Sequence, residues 1–241
     1  MLKKLSAVLL LWVTSVGYSG VVSAEATMTV LVTGANRGIG LELVRQLKAE
    51  GHEVIGTARN PQTATELKAT GARVVKLDVI DSESVQAMAA ELKDQKIDLL
   101  INNAGMSPLY PSLDEISEEL FDKIIGVNLK GPFRLSAKIG ARMAAGEGGS
   151  IINISSSASV TKSPNSEPYG AAKAGLNALT RSFADAYGPK VRVNCIMAGP
   201  FLTDIAKAWD LEAFNERAKN TIPLQRGGEP EEIVGAALYL A

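Results

Sequence analysis

The chain has 241 residues, 46% hydrophobic and 21% charged, a balance that fits one large α/β core and excludes a disordered or fibrous chain. Its formal net charge of -1 gives no electrostatic reason to expect nucleic acid as a partner. One cysteine, Cys195, and one histidine, His52, exclude an intrachain disulfide and a conventional zinc site, so no metal is expected.

At the amino terminus, Lys3 and Lys4 precede an uncharged stretch from Leu5 to Ala24, and Val22-Ser23-Ala24 has the small residues of a cleavage site. Residues 1–24 therefore read as a secretory signal, which predicts an exported protein beginning at Glu25. A spanning helix needs about 20 residues, so the same stretch, left uncleaved, would anchor the chain in a membrane. The competing reading is a true start at Met28, immediately before the first strand, and a cytoplasmic protein.

Thr29 to Thr33 reads as a short buried strand that runs into Gly34-Ala35-Asn36-Arg37-Gly38-Ile39-Gly40 and the helical pattern of Leu41, Val44 and Leu47. Glycines let backbone turn tightly and approach a ligand, and the following helix aims free amides and its positive end at the same place. The unit reads as a phosphate cradle, although its Gly-x-x-x-Gly-x-Gly spacing differs from Gly-x-Gly-x-x-Gly. The alternative is a glycine-rich turn with no ligand.

Further strands are expected at 53–58, 73–78, 97–101, 149–154 and 191–196. Helices are expected at 61–69, 82–93, 126–146 and 167–187, and 231–241 also reads as helical. Such alternation implies parallel strands joined by crossover helices, with ligands at the carboxyl ends of the strands. Cys195, inside the last strand, reads as a buried thiol, and His52, at a helix-to-strand turn, as a surface residue. Tyr169 and Lys173 stand one turn apart in Glu167-Pro168-Tyr169-Gly170-Ala171-Ala172-Lys173. An ammonium on the same helix face favours the phenolate of a tyrosine whose ordinary pKa is about 10, so the pair is a candidate acid/base device. The bland alternative is a solvated helix face.

Taken together, Thr33 to Gly40, Asp78, Asn102-Asn103-Ala104-Gly105, Asn128, Ser156, Tyr169, Lys173 and Ala198 to Thr203 resemble the short-chain dehydrogenase/reductases of classical type. The likeness follows the family's order over nearly all of the chain after Met28. Residues 28 to about 105 look most like C-factor and sniffer-type carbonyl reductases, and the part from Ser150 onward like general sugar-acid or acyl-chain reductases. The resemblance implies one doubly wound Rossmann domain over residues 28–241, strand order 3-2-1-4-5-6, and a homo-oligomer.

It also implies an NAD(P)-dependent oxidoreductase acting on the carbonyl or secondary alcohol of a small organic substrate. The cofactor would be bound by Gly34, Asn36, Arg37, Gly38, Ile39 and Gly40, with Asp78 and Val79 at the adenine edge. Asn102, Ala104 and Gly105 would line it beside the fourth strand, Tyr169 and Lys173 would lie at its ribose, and Gly199 and Thr203 at the carboxamide. Ala58 stands where NAD-preferring relatives carry an acid, and Arg59 and Arg37 supply two cations suited to a 2′-phosphate. NADP(H) is thus favoured over NAD(H), unless both arginines are ordinary surface charges.

The family places its serine thirteen residues before the tyrosine, which selects Ser156. Ser156 and Tyr169 would stabilise the developing oxyanion, Tyr169 would give the proton, Lys173 would lower the tyrosine pKa, and Asn128 would hold a water route. Phe201, Leu202, Ile205, Trp209, Leu211 and Phe214 would cover the substrate or close the core.

Two departures stand out. Ala198-Gly199-Pro200 replaces the family's Pro-Gly, and the chain stops at Ala241 where relatives continue into a seventh strand. The second points to a truncated domain with an open sheet edge and a weakened subunit contact. Truncation and export together support an alternative, a secreted signalling or nucleotide-binding protein that keeps the fold without turnover. Against export stands the cofactor, which a cell keeps inside.

Overall fold

The computed structural model describes residues 27–162, 165–204, 206 and 209–241. The expected signal segment at residues 1–24 and the covering role expected of Ile205 lie outside the described residues.

Six strands form one sheet: β1 (Thr29–Val32), β2 (Glu53–Ala58), β3 (Arg73–Lys76), β4 (Leu99–Asn102), β5 (Gly149–Ser156) and β6 (Val191–Ala198). All pair in parallel, in the order β3-β2-β1-β4-β5-β6. The helices are α1 (Gly38–Ala49), α2 (Thr65–Ala69), α3 (Ser82–Glu91), α4 (Glu118–Ile125), α5 (Gly131–Ala145), α6 (Glu167–Tyr187), α7 (Leu211–Thr221) and α8 (Val234–Leu240).

A parallel sheet covered on both faces needs strands that are apolar throughout, and β1 and β4 are buried along their whole length. Alternation along each strand sorts the side chains. Val30, Val32, Leu99, Ile101, Ile152 and Ile154 enter one core with α1 and α8, whereas Leu31, Leu100 and Ile151 enter the other with α3 and α5. The sheet is thereby doubly wound, and its carboxyl edge collects the glycine loop, the end of β4, the end of β5 and the start of α6.

Sequence and structure part company at three places. The helix expected at 126–146 is a π turn at Gly126–Lys130 followed by α5, and the turn continues from α4, a helix not among those expected. Asn128 sits inside that turn and its amide bonds the Ile124 carbonyl at 2.9 Å, the side-chain substitution that lets the ladder widen. His52 is no surface residue: it is 4% exposed, because Gly51 turns the chain with a φ of 88° and the ring tucks under the start of β1, accepting from Met28 N at 3.4 Å. The strand expected at 73–78 ends at Lys76, since Asp78 opens a turn in which its N–H donates to Ser84 Oγ at 2.8 Å and its carboxylate accepts from Ile80 N at 3.2 Å. Cys195 does lie on β6, but half-buried.

Among the described residues, β6 has no strand on its outer edge. The end of the chain is tied instead to the sheet: Ser150 Oγ and the Arg192 guanidinium both donate to the Leu240 carbonyl, at 3.0 and 2.7 Å. No helix among the described residues is long and apolar enough to cross a membrane.

Candidate active site

Leaving β1, the chain turns through Gly34, with φ 62°, and Gly38, with φ 54°, both in the left-handed region that side chains rarely adopt. Space is equally restrictive. A Cβ on Gly34 would lie 2.8 Å from Ala104 Cα, and one on Gly40 would lie 2.4 Å from both the Gly34 carbonyl oxygen and Asn103 Nδ2. Asn103 is the reason: its amide donates to the carbonyls of Thr33 and Gly34 at 3.0 and 3.1 Å, while Thr33 Oγ1 accepts from the backbone of Asn103 and Ala104 at 3.0 Å each. The loop after β4 is thus stitched to the glycine loop after β1. On the other side, Thr57 takes the N–H of Gly34 and that of Ala35 at 3.3 and 2.9 Å.

α1 begins at Gly38 with no side-chain cap and no acid in its first turn, whereas α3, α4 and α7 are capped by Asp81, Ser117 and Asp210. Its first amides and positive end are left to an external anion, and the side-chain-free floor of Gly34, Gly38 and Gly40 admits a phosphate. These residues therefore fit a dinucleotide. Thr203 closes the cradle from above, its Cβ 3.3 Å from the place a Gly38 Cβ would take. Asn36, Arg37 and Arg59 are exposed at the rim, and Ile39 and Gly40 lie in the first turn of α1.

At the next strand ends, Ser156 closes β5 and Tyr169 and Lys173 follow on the first turns of α6. Lys173 is 3% exposed, and its ammonium donates to the Ile154 carbonyl at 2.8 Å and lies 5.6 Å from the Tyr169 ring centre. Burial moves the two groups in opposite senses. It lowers the Lys173 pKa to about 8 and raises that of Tyr169, against which the nearby Ser156 hydroxyl works. The net direction is the opposite of the lowering expected from Lys173, because desolvation of the phenol is the largest cause.

Asn128 is wholly buried: Nδ2 donates to the Met106 carbonyl at 2.8 Å and Oδ1 accepts from Met106 N at 3.2 Å. A Cβ on Gly105 would lie 3.1 Å from Asn128 Oδ1 and 3.7 Å from Lys173 Nζ, so Gly105, Asn128 and Lys173 meet at one point. Gly199 lies open, with nothing near its Cα side.

Two expected cofactor contacts are placed differently. The Asn102 side chain turns into the interior, donating to Asn153 Oδ1 at 2.8 Å and Ser136 Oγ at 3.0 Å. Asn153 passes the chain on to Thr180 at 2.9 Å, so Asn102 belongs to a buried polar ladder between α5 and α6 and offers a ligand only its backbone. Val79 is 7% exposed and packs on Gly131, whose Cβ position is 2.9 Å away; the neighbouring Asp78 is partly exposed at the rim.

Sequence reasoning quoted Thr33 and Asn103 for the likeness without giving either a role, and it passed over the pairing of Tyr110 with Glu167. The Tyr110 hydroxyl donates to the Glu167 carboxylate and accepts from Glu167 N at 2.9 Å, tying the loop after β4 to the first turn of α6. Asn103 was visible only as part of the Asn102-Asn103-Ala104-Gly105 motif, and nothing local marks Tyr110.

A family model described as Enoyl-(Acyl carrier protein) reductase matches residues 34–241. The chain is 35% identical over 229 residues to an L-rhamnose 1-dehydrogenase (NAD(P)(+)) of Azotobacter vinelandii, covering 88% of this chain and 89% of that protein. It is 34% identical over 216 residues to the 3-oxoacyl-[acyl-carrier-protein] reductase MabA of Mycobacterium tuberculosis, covering 88% and 85%. Among solved structures, a putative NAD(P) dependent gluconate 5-dehydrogenase from Beutenbergia cavernae with bound NADP superposes with a TM-score of 0.79 at 32% identity over 89% of each chain.

Proposed function

Since the chain belongs to the short-chain dehydrogenase/reductase family, we propose that it reduces the carbonyl of a small organic substrate with NADPH, or oxidises the corresponding secondary alcohol. The observation that carries this reading is the convergence of Ser156, Tyr169 and Lys173 with the glycine cradle at one edge of the sheet. When bound, the nicotinamide supplies the hydride. Tyr169, kept protonated by burial, gives its proton to the carbonyl oxygen as charge builds there, and Ser156 donates to the same oxygen. Lys173 holds a fixed positive charge beside the phenol and favours the phenolate left behind. Asn128 holds the backbone of Met106 and thereby the wall opposite α6.

Preference for NADPH is supported by Ala58 at the end of β2, where no carboxylate would repel a 2′-phosphate, and by the exposed guanidiniums of Arg37 and Arg59. The relatives' printed names span a sugar dehydrogenase and an oxoacyl reductase, so keto sugars and oxoacyl thioesters head the substrate panel. The test is consumption of NADPH by the purified chain against these, with ketones, aldehydes and quinones alongside. Turnover on one class supports the reading, and none on any would overturn it. Replacing Arg37 and Arg59 together should weaken NADPH far more than NADH; equal losses would show that these arginines do not read the phosphate.

A further inference from the structure

The reacting groups sit on two separate elements, and this raises the question of what fixes their spacing. Ser156 ends a strand, whereas Tyr169 and Lys173 ride on α6, and a site of this kind needs its donors held to within about 0.5 Å. Asn177 stands one turn beyond Lys173 on the same helix face, and its side chain reaches back under the serine.

Every hydrogen-bonding position of its amide is used. Oδ1 accepts from Ser155 Oγ at 2.5 Å and from the Cys195 thiol at 3.7 Å. Nδ2 donates to Ser159 Oγ at 2.8 Å and to Met197 Sδ at 3.4 Å. Ser159 in turn donates its hydroxyl hydrogen to the carbonyl of Ser156 at 2.5 Å, and the Ser155 hydroxyl lies 3.3 Å from the Lys173 carbonyl. Orientation of the amide follows from this. Because the Ser159 hydrogen is committed to Ser156, Ser159 can only accept from residue 177, and a thioether sulfur cannot donate, so both must face the NH2 group.

We infer that Asn177 is a positioning residue for the reaction, one amide that fastens the residues on both sides of Ser156 to the helix bearing Tyr169 and Lys173. The inference rests on the role given to Ser156 under the proposed function. Asn177 touches no reacting atom and acts only through the turn Ser155 to Ser159.

The isosteric variant Asn177→Asp tests it, because a carboxylate keeps the arm to Ser155 and cannot donate to Ser159. Ser159→Ala removes the same arm from its other end at a partly exposed site, so it decides the matter if the first variant fails to fold. Each variant in the full chain should lower kcat by about ten- to a hundredfold, the scale of a small misplacement of reacting groups, with NADPH affinity unchanged. The double variant should lose clearly less than the product of the two single losses, since both remove the Asn177–Ser159 bond.

Parent-level kcat in both single variants, losses that multiply in the double, or an NADPH affinity that falls in step with kcat would each overturn the inference. Ser156→Ala and Tyr169→Phe, measured alongside, separate it from the reading beneath it. If those two retain turnover, the proposed function fails; if they lose it while Asn177→Asp and Ser159→Ala retain it, only the positioning role fails.

Discussion

Burial acts on Tyr169 and Lys173 through one physical term with opposite signs, because it penalises the phenolate on one side and the ammonium on the other. Tyr169→Phe deletes the proton donor and nothing else, so kcat should fall by about a hundredfold or more while NADPH titration by fluorescence stays unchanged. Survival of turnover near the parent level would reject the role. For Lys173, the folded pKa of about 8 lies below its ordinary 10.5, so between these values the unfolded chain binds more protons than the folded one. Stability from this group therefore increases as pH rises from about 8 to 10.5, and below that window the cost of burying the charge is present in full. Lys173→Met should remove that rise, read as the difference in thermal midpoint between variant and parent at pH 8 and pH 10; parallel curves would deny the burial cost. The proximity of Tyr169 and Lys173 was legible in the sequence because helix geometry turns a spacing of four directly into a shared face, whereas Ser156 was picked out only by the family likeness. The sense of the tyrosine shift was not legible, since desolvation depends on packing from distant segments. For the same reason His52 was misplaced and Tyr110 overlooked: their partners stand 24 and 57 residues away.

The strand, glycine loop and helix at the start of the fold were readable as a unit, whereas their clasp by Asn103 was not, because it bridges about 70 residues. That clasp crowds the space beside Gly34 and Gly40. Gly40→Ala drives a methyl into the Gly34 carbonyl and the Asn103 amide, and overpacking of this kind costs about 1–3 kcal/mol. It should lower the thermal midpoint and weaken NADPH together, as both loops must part. Gly51 has φ 88° but open space around it, so Gly51→Ala should cost only the left-handed strain of about 1–2 kcal/mol and leave nucleotide affinity intact. Comparable losses of affinity in both would show that the crowding at Gly40 does not govern the cradle. The π turn at Asn128 escaped the sequence for a different reason, since hydrophobic periodicity does not separate one widened turn from the α-helix that follows it.

At the scale of the whole molecule, Leu113 and Phe121 are 62% and 45% exposed and line, with Ile116, Pro168 and Ala171, an open groove of about 700 Å³ between the segment before α4 and the start of α6. Glu118, Asp122 and Glu167 line the same groove, and we propose that its apolar residues meet a second copy of the chain, so that Phe121→Glu should give monomer by light scattering without loss of NADPH binding. An unchanged mass would place the contact elsewhere. For location we propose that the native host cleaves after Ala24, so that mass spectrometry finds mature protein beginning at Glu25 outside the cytoplasm. A start at Met28 would overturn that proposal. The parallel sheet itself was legible from the alternation of elements, as its order was from the family likeness. That order has a consequence for synthesis on the ribosome. β1 is made first yet lies in the middle of the sheet, and its second edge is closed only by β4, through bonds such as Thr29 N to the Asp98 carboxylate across 69 residues. At roughly 5–20 residues per second, the nascent chain carries an unzipped apolar strand for several seconds before its partner emerges. Chains arrested before Leu99 should be bound by chaperones and cut readily by protease, and those arrested well beyond Asn102 should not.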